Sequence, residues 1–541
     1  MSDPVCYLCT GPGLLSCPQC SLRSCCQDHA DLHCPGPCYP FTVLDSPGVG
    51  RYVVASRDIA QGEEVFGETE PLVVGPNQEC EALCLQCLSP VEEGEGQRCA
   101  GCGYPVCGAE CEDQHTQTRE CQVLSTAEPL ELKESYHPIL PLRLLLLQSQ
   151  HPAKARLAQM FMDHREERED TEYFRYGKEK IVPFIREQCG QTQWSEEEIM
   201  RVIGILEVNC YEVKNFVTFG VRGFYPLASL LSHSCVANVK TIWQSEPPFG
   251  HRTLAVRDIR AGEEILTSYL RPSMCSLVRR RSIRTGWYFD CTCPRCSDPR
   301  ELGANTNTVT CPACSSGDLL PVQPLHYQSD WRCEQCQEVI ASDLVTGVVE
   351  KFKDEIQTLY ETDRYNVENW LDLLGRAEPY FHPQHMVMID IAKWLVPVLC
   401  RGPGLSFPHF PLDQVQTKLR LATNYLAVLE IVEPGLSKFR AKYLFEMIDT
   451  KMFLLSKEFN EGKLAPHLFK GELAGDEASV NGGSALSFSI SAFTPKLNDV
   501  IEILTLMGVT SPFEQMILTK SSQLRNICKE FISLDLGHSL L

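Results

Sequence analysis

RDIAQGEEVF at residues 57–66 returns two hundred residues later as RDIRAGEEIL at 257–266. In each copy an apolar, β-branched run comes just before (RYVVAS, RTLAV), an x-x-Gly-Glu-Glu turn stands in the middle, and a second apolar run follows. The pattern reads as strand, turn, strand. A solenoid would repeat the unit again at a short fixed period, and no further copy occurs. Two distant halves of one design are therefore expected to pair inside a single β-fold. What lies between them is then an insert: a cysteine-rich segment followed by a largely helical stretch near 123–206.

Composition narrows the function classes. The 541 residues leave room for about two to four domains with real cores. Lys and Arg total 49 against 70 Asp and Glu, a net charge of −21, so no direct nucleic-acid binding and no attraction to anionic membranes is expected, whereas basic partners are compatible. The start, MSDPVCYLC, has no positive region ahead of an apolar one, and the apolar runs are short for a membrane span, so neither a signal peptide nor a span is expected. Sixteen of the 29 cysteines precede residue 122. In a reducing compartment, cytoplasmic and/or nuclear, such clustering reads as metal binding rather than disulfides.

Zinc takes four tetrahedral thiolate or imidazole ligands, and a Cys-x-x-Cys knuckle supplies two from one turn. Four clusters follow this logic. The first offers Cys6, Cys9, Cys17, Cys20, Cys25, His29, Cys34 and Cys38, with Cys26 and His33 as near substitutes, enough for two interleaved zincs. The second repeats the plan with Cys84, Cys87, Cys99, Cys102, Cys107, Cys111, His115 and Cys121. The third, CTCPRC, supplies Cys291, Cys293 and Cys296 and is one ligand short, so its fourth must come from far away. The fourth pairs Cys311 and Cys314 with Cys333 and Cys336, the spacing of a zinc ribbon. Eight cysteines stand outside these sets: Cys26, Cys80, Cys189, Cys210, Cys235, Cys275, Cys400 and Cys528.

One of them sits in SLLSHSCVAN (229–238), where a buried-type run ends in Ser232, His233, Ser234, Cys235 and Asn238. From these residues alone Cys235 is equally a core thiol, a nucleophile or a metal ligand. The basic run RRRSIR (279–284) reads as a solvated helix face. From about Leu344 apolar residues recur at three- and four-residue spacing, which predicts helices broken at RGPGLSFPHFP and EPGLS, with a polar loop at 471–487.

Taken together, the RDIAQGEE half, SHSC at 232–235, GEEILTSY at 262–269 and CTCPRC at 291–296 resemble a SET domain split by a MYND zinc finger, the arrangement of the SET-and-MYND lysine methyltransferase family. The added N-terminal cluster, GRYVVASRDI and the late ribbon resemble the arthropod SmydA branch of that family. The resemblance implies a multidomain α+β chain: a β-rich SET fold split by a MYND finger and a helical insert, with additional zinc modules and an all-helical C-terminal domain. Its expected segments are a MYND-like module at 1–45, the first SET part at 46–83, the MYND finger at 84–121, the helical insert at 122–206 and the catalytic SET part at 207–290. A post-SET zinc segment at 291–300, the ribbon at 309–340 and the helical domain at 343–541 complete it.

The resemblance also implies roles. Cys235 becomes the fourth ligand beside Cys291, Cys293 and Cys296. Tyr269 becomes the catalytic tyrosine and contacts the cofactor, S-adenosylmethionine. Asn209, Ser232, His233 and Phe289 bind that cofactor, with the backbone around Gly50 and Arg51 near its methionine part. The implied activity is S-adenosylmethionine-dependent methylation of a lysine on a histone or non-histone protein, with proline-rich peptides as further partners at the MYND finger. Three positions depart from the family pattern. Ser232 replaces Asn, Ala237 replaces Pro, and Tyr52 stands where a second Gly is usual. A MYND finger also usually places its His four residues before the last Cys, where this chain has Gln117. The alternative is a catalytically weak or inactive zinc scaffold that binds peptide motifs.

Overall fold

The computed structural model describes residues 39–46, 50–78, 80–91, 97–127, 136–213, 220–244, 246–400, 407–460 and 492–538, plus the short antiparallel pair Leu15–Ser16 with Ser24–Cys25. Apart from Cys25, the ligand set of the first cluster lies outside the described residues, as does the 471–487 segment. The chain divides into two compact units. One holds the chain as far as His233 with Asn238–Thr267 and Thr285–Phe289; the other holds Ser234–Ala237, Ser268–Arg284 and everything from Asp290 onward.

In the first unit the two halves of the repeated motif meet. Phe41–Ser46 and Gly50–Ala55 form an antiparallel hairpin, and alternation along the second strand turns Val53 and Ala55 into the core. Glu64–Glu68, which follows the first Gly-Glu-Glu turn, pairs antiparallel with His251–Ala255, which precedes the second. Val239–Trp243 completes that sheet on the other side. The turns themselves cross. Ala55 N–H donates to Glu263 O (2.8 Å) and Ala255 N–H to Glu63 O (3.0 Å), while Ile59 and Ile259 bridge antiparallel. Gly62 and Gly262 hold the left-handed conformation that each turn requires, at φ 81° and 85°.

Helices fill most of the described insert. Glu196–Asn209 starts at a capping box, with Ser195 accepting from Glu198 N–H and Glu198 reaching back to Ser195 N–H. Its buried face runs through Ile199, Val202, Ile203 and Leu206. The helix stops where Cys210 turns extended and enters the strand Cys210–Val213, which lies in a sheet with Val221–Phe224 and Val73–Pro76. One apolar core runs from Phe41 through these helices to Ile265.

The second unit carries a four-stranded antiparallel ribbon, Val309–Thr310, Asp318–Pro321, Trp331–Cys333 and Val339–Ile340. Helices follow at Ser342–Asp363, Val367–Ala377, Met386–Val398, Leu412–Val432, Lys438–Asn460, Phe493–Met507 and Pro512–His538. The EPGLS break separates the fourth from the fifth of these, as its Pro and Gly dictate. Lys418, on the buried stripe of Leu412–Val432, is fully buried; it pairs with Glu446 (2.9 Å) and donates to Val396 O (2.6 Å) and Leu399 O (3.0 Å). A buried ammonium thereby satisfies carbonyls at the end of the neighbouring helix.

Candidate functional site

Four groups of metal-ligand type form among the described residues. In each, the four ligand atoms lie within 4.8 Å of one another. A zinc tetrahedron with bonds of about 2.3 Å has ligand–ligand edges of about 3.8 Å. The observed edges fit: 3.7 Å for Cys87–Cys107, 3.6 Å for Cys99–Cys121, 3.9 and 3.5 Å from Cys235 to Cys291 and Cys296, and 3.6 Å for Cys311–Cys336. The second sequence cluster splits alternately, Cys84 and Cys87 with Cys107 and Cys111, then Cys99 and Cys102 with His115 and Cys121.

His115 reaches its group despite standing two residues early. It ends the helix Ala109–Thr116, and Thr118 starts a new one by accepting from Cys121 N–H (3.1 Å) while donating to His115 O (2.7 Å). The break between the helices absorbs the shift and brings His115 Nε2 to 3.3 Å from Cys102 Sγ.

Cys235 is fully buried in the third group, beside Cys291, Cys293 and Cys296. The thiols of Cys80, Cys210 and Cys275 stand outside every group, and burial pushes each up to about 11. Burial pushes Cys189, likewise outside, up to about 12. Such thiols stay protonated and are poor ligands.

The basic run corrects the sequence expectation. Arg279 and Arg280 are 0% and 3% exposed, whereas the side chains of Arg281 and Arg284 are 48% and 61% exposed. Ser276, Arg279, Arg280 and Ile283 lie on one helical face at three- and four-residue spacing, and that face is buried in Ser276–Trp287. A run of like charges hid the stripe.

The residues expected to hold a cofactor gather in part. Ser232–His233 pairs in parallel with Leu266–Thr267, Ser232 opposite Leu266 and His233 opposite Thr267. Tyr269 stands two residues beyond that strand. The ring of Phe289, 37% exposed, lies 6.2 Å from that of His233. Asn209 ends its helix and donates to Ile205 O (2.8 Å) and Met162 O (3.3 Å), and its own carbonyl accepts from Ser229 Oγ (2.9 Å). Both amide hydrogens are thus engaged within the fold, and Oδ1 is its remaining acceptor. Arg51 turns its side chain to the insert, donating to Met160 O (3.1 Å) and lying 4.8 Å over the Phe161 ring. Gly50 has φ 77°, and an added Cβ would meet nothing within 4 Å, so the backbone conformation rather than space calls for glycine.

Glu68 and His251 escaped the sequence reading, and Asn238 was singled out there without a role. Asn238, 1% exposed, receives Leu266 N–H (2.7 Å) and donates to Glu264 O (2.8 Å), joining the SHSC segment to the second Gly-Glu-Glu turn. Glu68 accepts from Leu227 and Ala228 N–H (3.2 and 3.1 Å) and faces His251 at 2.9 Å. Proximity of Asn238 to the motif was the one available signal; the Glu68–His251 pair has none, since its partners lie far apart in the chain.

A β-fold assembled from two separated halves, closed by a parallel pair whose SHSC strand runs directly into a four-cysteine centre, defines a SET domain. The SET family model matches residues 50–270. The chain is 30% identical over 417 residues to the SET domain-containing protein SmydA-8, isoform B, of Drosophila melanogaster, covering 73% of this chain and 88% of that one. It is 26% identical over 279 residues to human histone-lysine N-methyltransferase SMYD3 (48% and 63% covered). It is 24% identical over 282 residues to histone-lysine N-methyltransferase SET5 of Yarrowia lipolytica (46% and 61% covered). The chain belongs to the SET-and-MYND domain family.

Proposed function

We propose that this protein is an S-adenosylmethionine-dependent protein-lysine N-methyltransferase acting on a histone or non-histone protein. The observation that carries the reading is the parallel pair of Ser232–His233 with Leu266–Thr267, which sets the SHSC motif beside the strand that leads to Tyr269. When bound, S-adenosylmethionine supplies the methyl group on a sulfonium. The chain's own task is to hold a neutral lysine amine in line and keep water out. Burial favours the neutral amine. Tyr269 orients it, Phe289 offers an aromatic face, and the Asn209 Oδ1 would accept from the ammonium of the cofactor's methionine part. No acid–base pair is required of the protein.

Four zincs at the groups described, and more at the first cluster, are structural partners of this reading. Proline-rich peptides at the finger of residues 84–121 are further partners, and the cytoplasm or nucleus is the compartment. No helix among the described residues is long and apolar enough to cross a membrane.

Ser232 and Ala237 favour a second reading, a scaffold without turnover. Magnitudes weigh against it. A lost side-chain hydrogen bond costs about 0.5–1.5 kcal/mol, and Pro to Ala about 0.4–1 kcal/mol. Together these reach about 2.5 kcal/mol, under about a hundredfold in affinity. The test is calorimetric titration of S-adenosylmethionine into the zinc-loaded protein and its Ser232→Asn variant. Binding by the native protein supports the enzyme. Binding by the variant alone supports the scaffold, and binding by neither removes the cofactor assignment.

A further inference from the structure

The second unit buries three charges against the Cys235 centre. Arg279, Arg295 and Glu301 are each 0% exposed. Glu301 Oε2 meets Arg279 at 2.7 Å and Arg295 at 2.9 Å, and its Oε1 accepts Ser276 N–H (2.7 Å). Two guanidinium groups against one carboxylate leave one positive charge, and an unpaired buried charge is among the costliest things a fold can hold. The anion that balances it is at hand. Arg279 Nε donates to Cys235 Sγ (3.2 Å) and Nη2 to Cys296 Sγ (3.6 Å), while a third donor of the same group goes to Met274 O.

We propose that Arg279 is a working part of the Cys235 metal centre: its guanidinium supplies the positive charge that offsets the thiolates, and Glu301 holds it in the orientation that does so. A metal is bound by thiolates, and a guanidinium within hydrogen-bond distance of two of them offsets part of their charge. Arg295 extends the clamp to the backbone, donating to Pro272 O (2.6 Å), Cys235 O (3.4 Å) and Thr306 Oγ1 (3.1 Å). The ribbon centre is built differently: Gly317 and Cys336 N–H donate to Cys314 and Cys333 Sγ at 3.3 and 3.5 Å. Donors to a thiolate draw electron density from sulfur and slow both metal loss and alkylation. The inference is about zinc chemistry and holds whether or not the chain methylates lysine.

The experiment uses the full zinc-loaded chain, N-ethylmaleimide with a zinc chelator, and mass spectrometry of each cysteine peptide. The Cys311, Cys314, Cys333 and Cys336 set is the internal standard. In Arg279→Met, alkylation of Cys235 and Cys296 speeds up about tenfold or more, one zinc leaves at the same faster rate, and the ribbon set is unchanged. Unchanged rates at Cys235 and Cys296 overturn the proposal and assign Arg279 to Glu301 alone. If the ribbon set accelerates too, the variant has lost its fold, and Arg279→Gln decides. That variant keeps a side-chain donor but removes the buried charge. Selective acceleration at Cys235 and Cys296 supports the proposal, and wild-type rates overturn it.

Discussion

Asp58 and Asp258, two hundred residues apart, hold each other's turns. Asp258 Oδ1 accepts Gln61 N–H and Asp58 Oδ1 accepts Ala261 N–H, both at 2.8 Å. The neighbouring ion pairs repeat within each copy instead, Arg57 with Glu63 and Arg257 with Glu263. A sequence echo has become a local two-fold relationship, in which each copy supplies what the other lacks.

Asp58→Ala and Asp258→Ala therefore each remove one cross-turn hydrogen bond. Both bonds are exposed, so water partly replaces the acceptor, and each substitution is expected to cost about 0.5–1.5 kcal/mol. Urea denaturation measures it. Two variants with wild-type midpoints would show that the reciprocity has no energetic content.

Glu68 carries three bonds at once, two from backbone amides and one with the fully buried His251 side chain. Glu68→Ala is expected to destabilise the first unit by about 3 kcal/mol, since it orphans buried donors. Glu68→Gln keeps an acceptor oxygen for only one of the two amides, which use Oε1 and Oε2 separately, and its loss is expected to be smaller, about 2 kcal/mol. Equal losses in the two variants would refute this division of labour.

Cys235→Ser tests the third metal group. Zinc content is expected to fall by about one equivalent per chain, because three thiolates and a hydroxyl bind zinc far less tightly. An undiminished content would remove Cys235 from the ligand set.

From the proposed role, Tyr269→Phe is expected to lower turnover roughly a hundredfold while leaving the affinity for S-adenosylmethionine within about threefold, because the lost hydroxyl is the group assigned to orient the reacting amine. Single-turnover methyl transfer beside calorimetry separates the two. A variant that loses cofactor binding instead would reassign Tyr269 to the cofactor pocket.

His385 makes the second unit acid-sensitive. Burial lowers its pKa to about 3, with Glu301 opposing and His382 adding to the effect. The folded state keeps it neutral while the unfolded chain binds a proton below the ordinary value of 6.5. Its contribution is therefore complete above that value and drains away as pH falls toward the folded pKa, at up to about 1.4 kcal/mol per pH unit. His385 Nδ1 accepts Val387 N–H (3.1 Å) at a helix start, a task that Asn also performs. His385→Asn is thus expected to flatten the fall in denaturation free energy between about pH 7 and pH 5. An unaltered slope would place the acid sensitivity elsewhere.

Legibility varied with the range of the interaction. The cysteine knuckles and the strand–turn–strand echo could be read directly, because ligand spacing and Gly-Glu-Glu turns are local. His115 was readable as a ligand from the cluster pattern although it stands two residues early; the helix break at Thr118 explains why it fits. RRRSIR misled, because charge pattern outweighed the face on which Arg279 and Arg280 lie, and their burial rests on partners such as Glu301 that the run does not contain.

The amino-acid order by itself determined the ligand types, their knuckles, the paired turns and the helical tail, since each depends on neighbours within a few residues. Family resemblance implied Cys235 for the third centre, but only the tertiary structure gathers it with the other three cysteines and decides which arginine faces it. Cys235 and Cys291 are 56 residues apart, and Cys235 and Arg279 are 44. Over such separations the chain's own spacing selects no partner. Packing does, because a buried charge or thiolate is tolerable only where its counterpart has been brought within bonding distance.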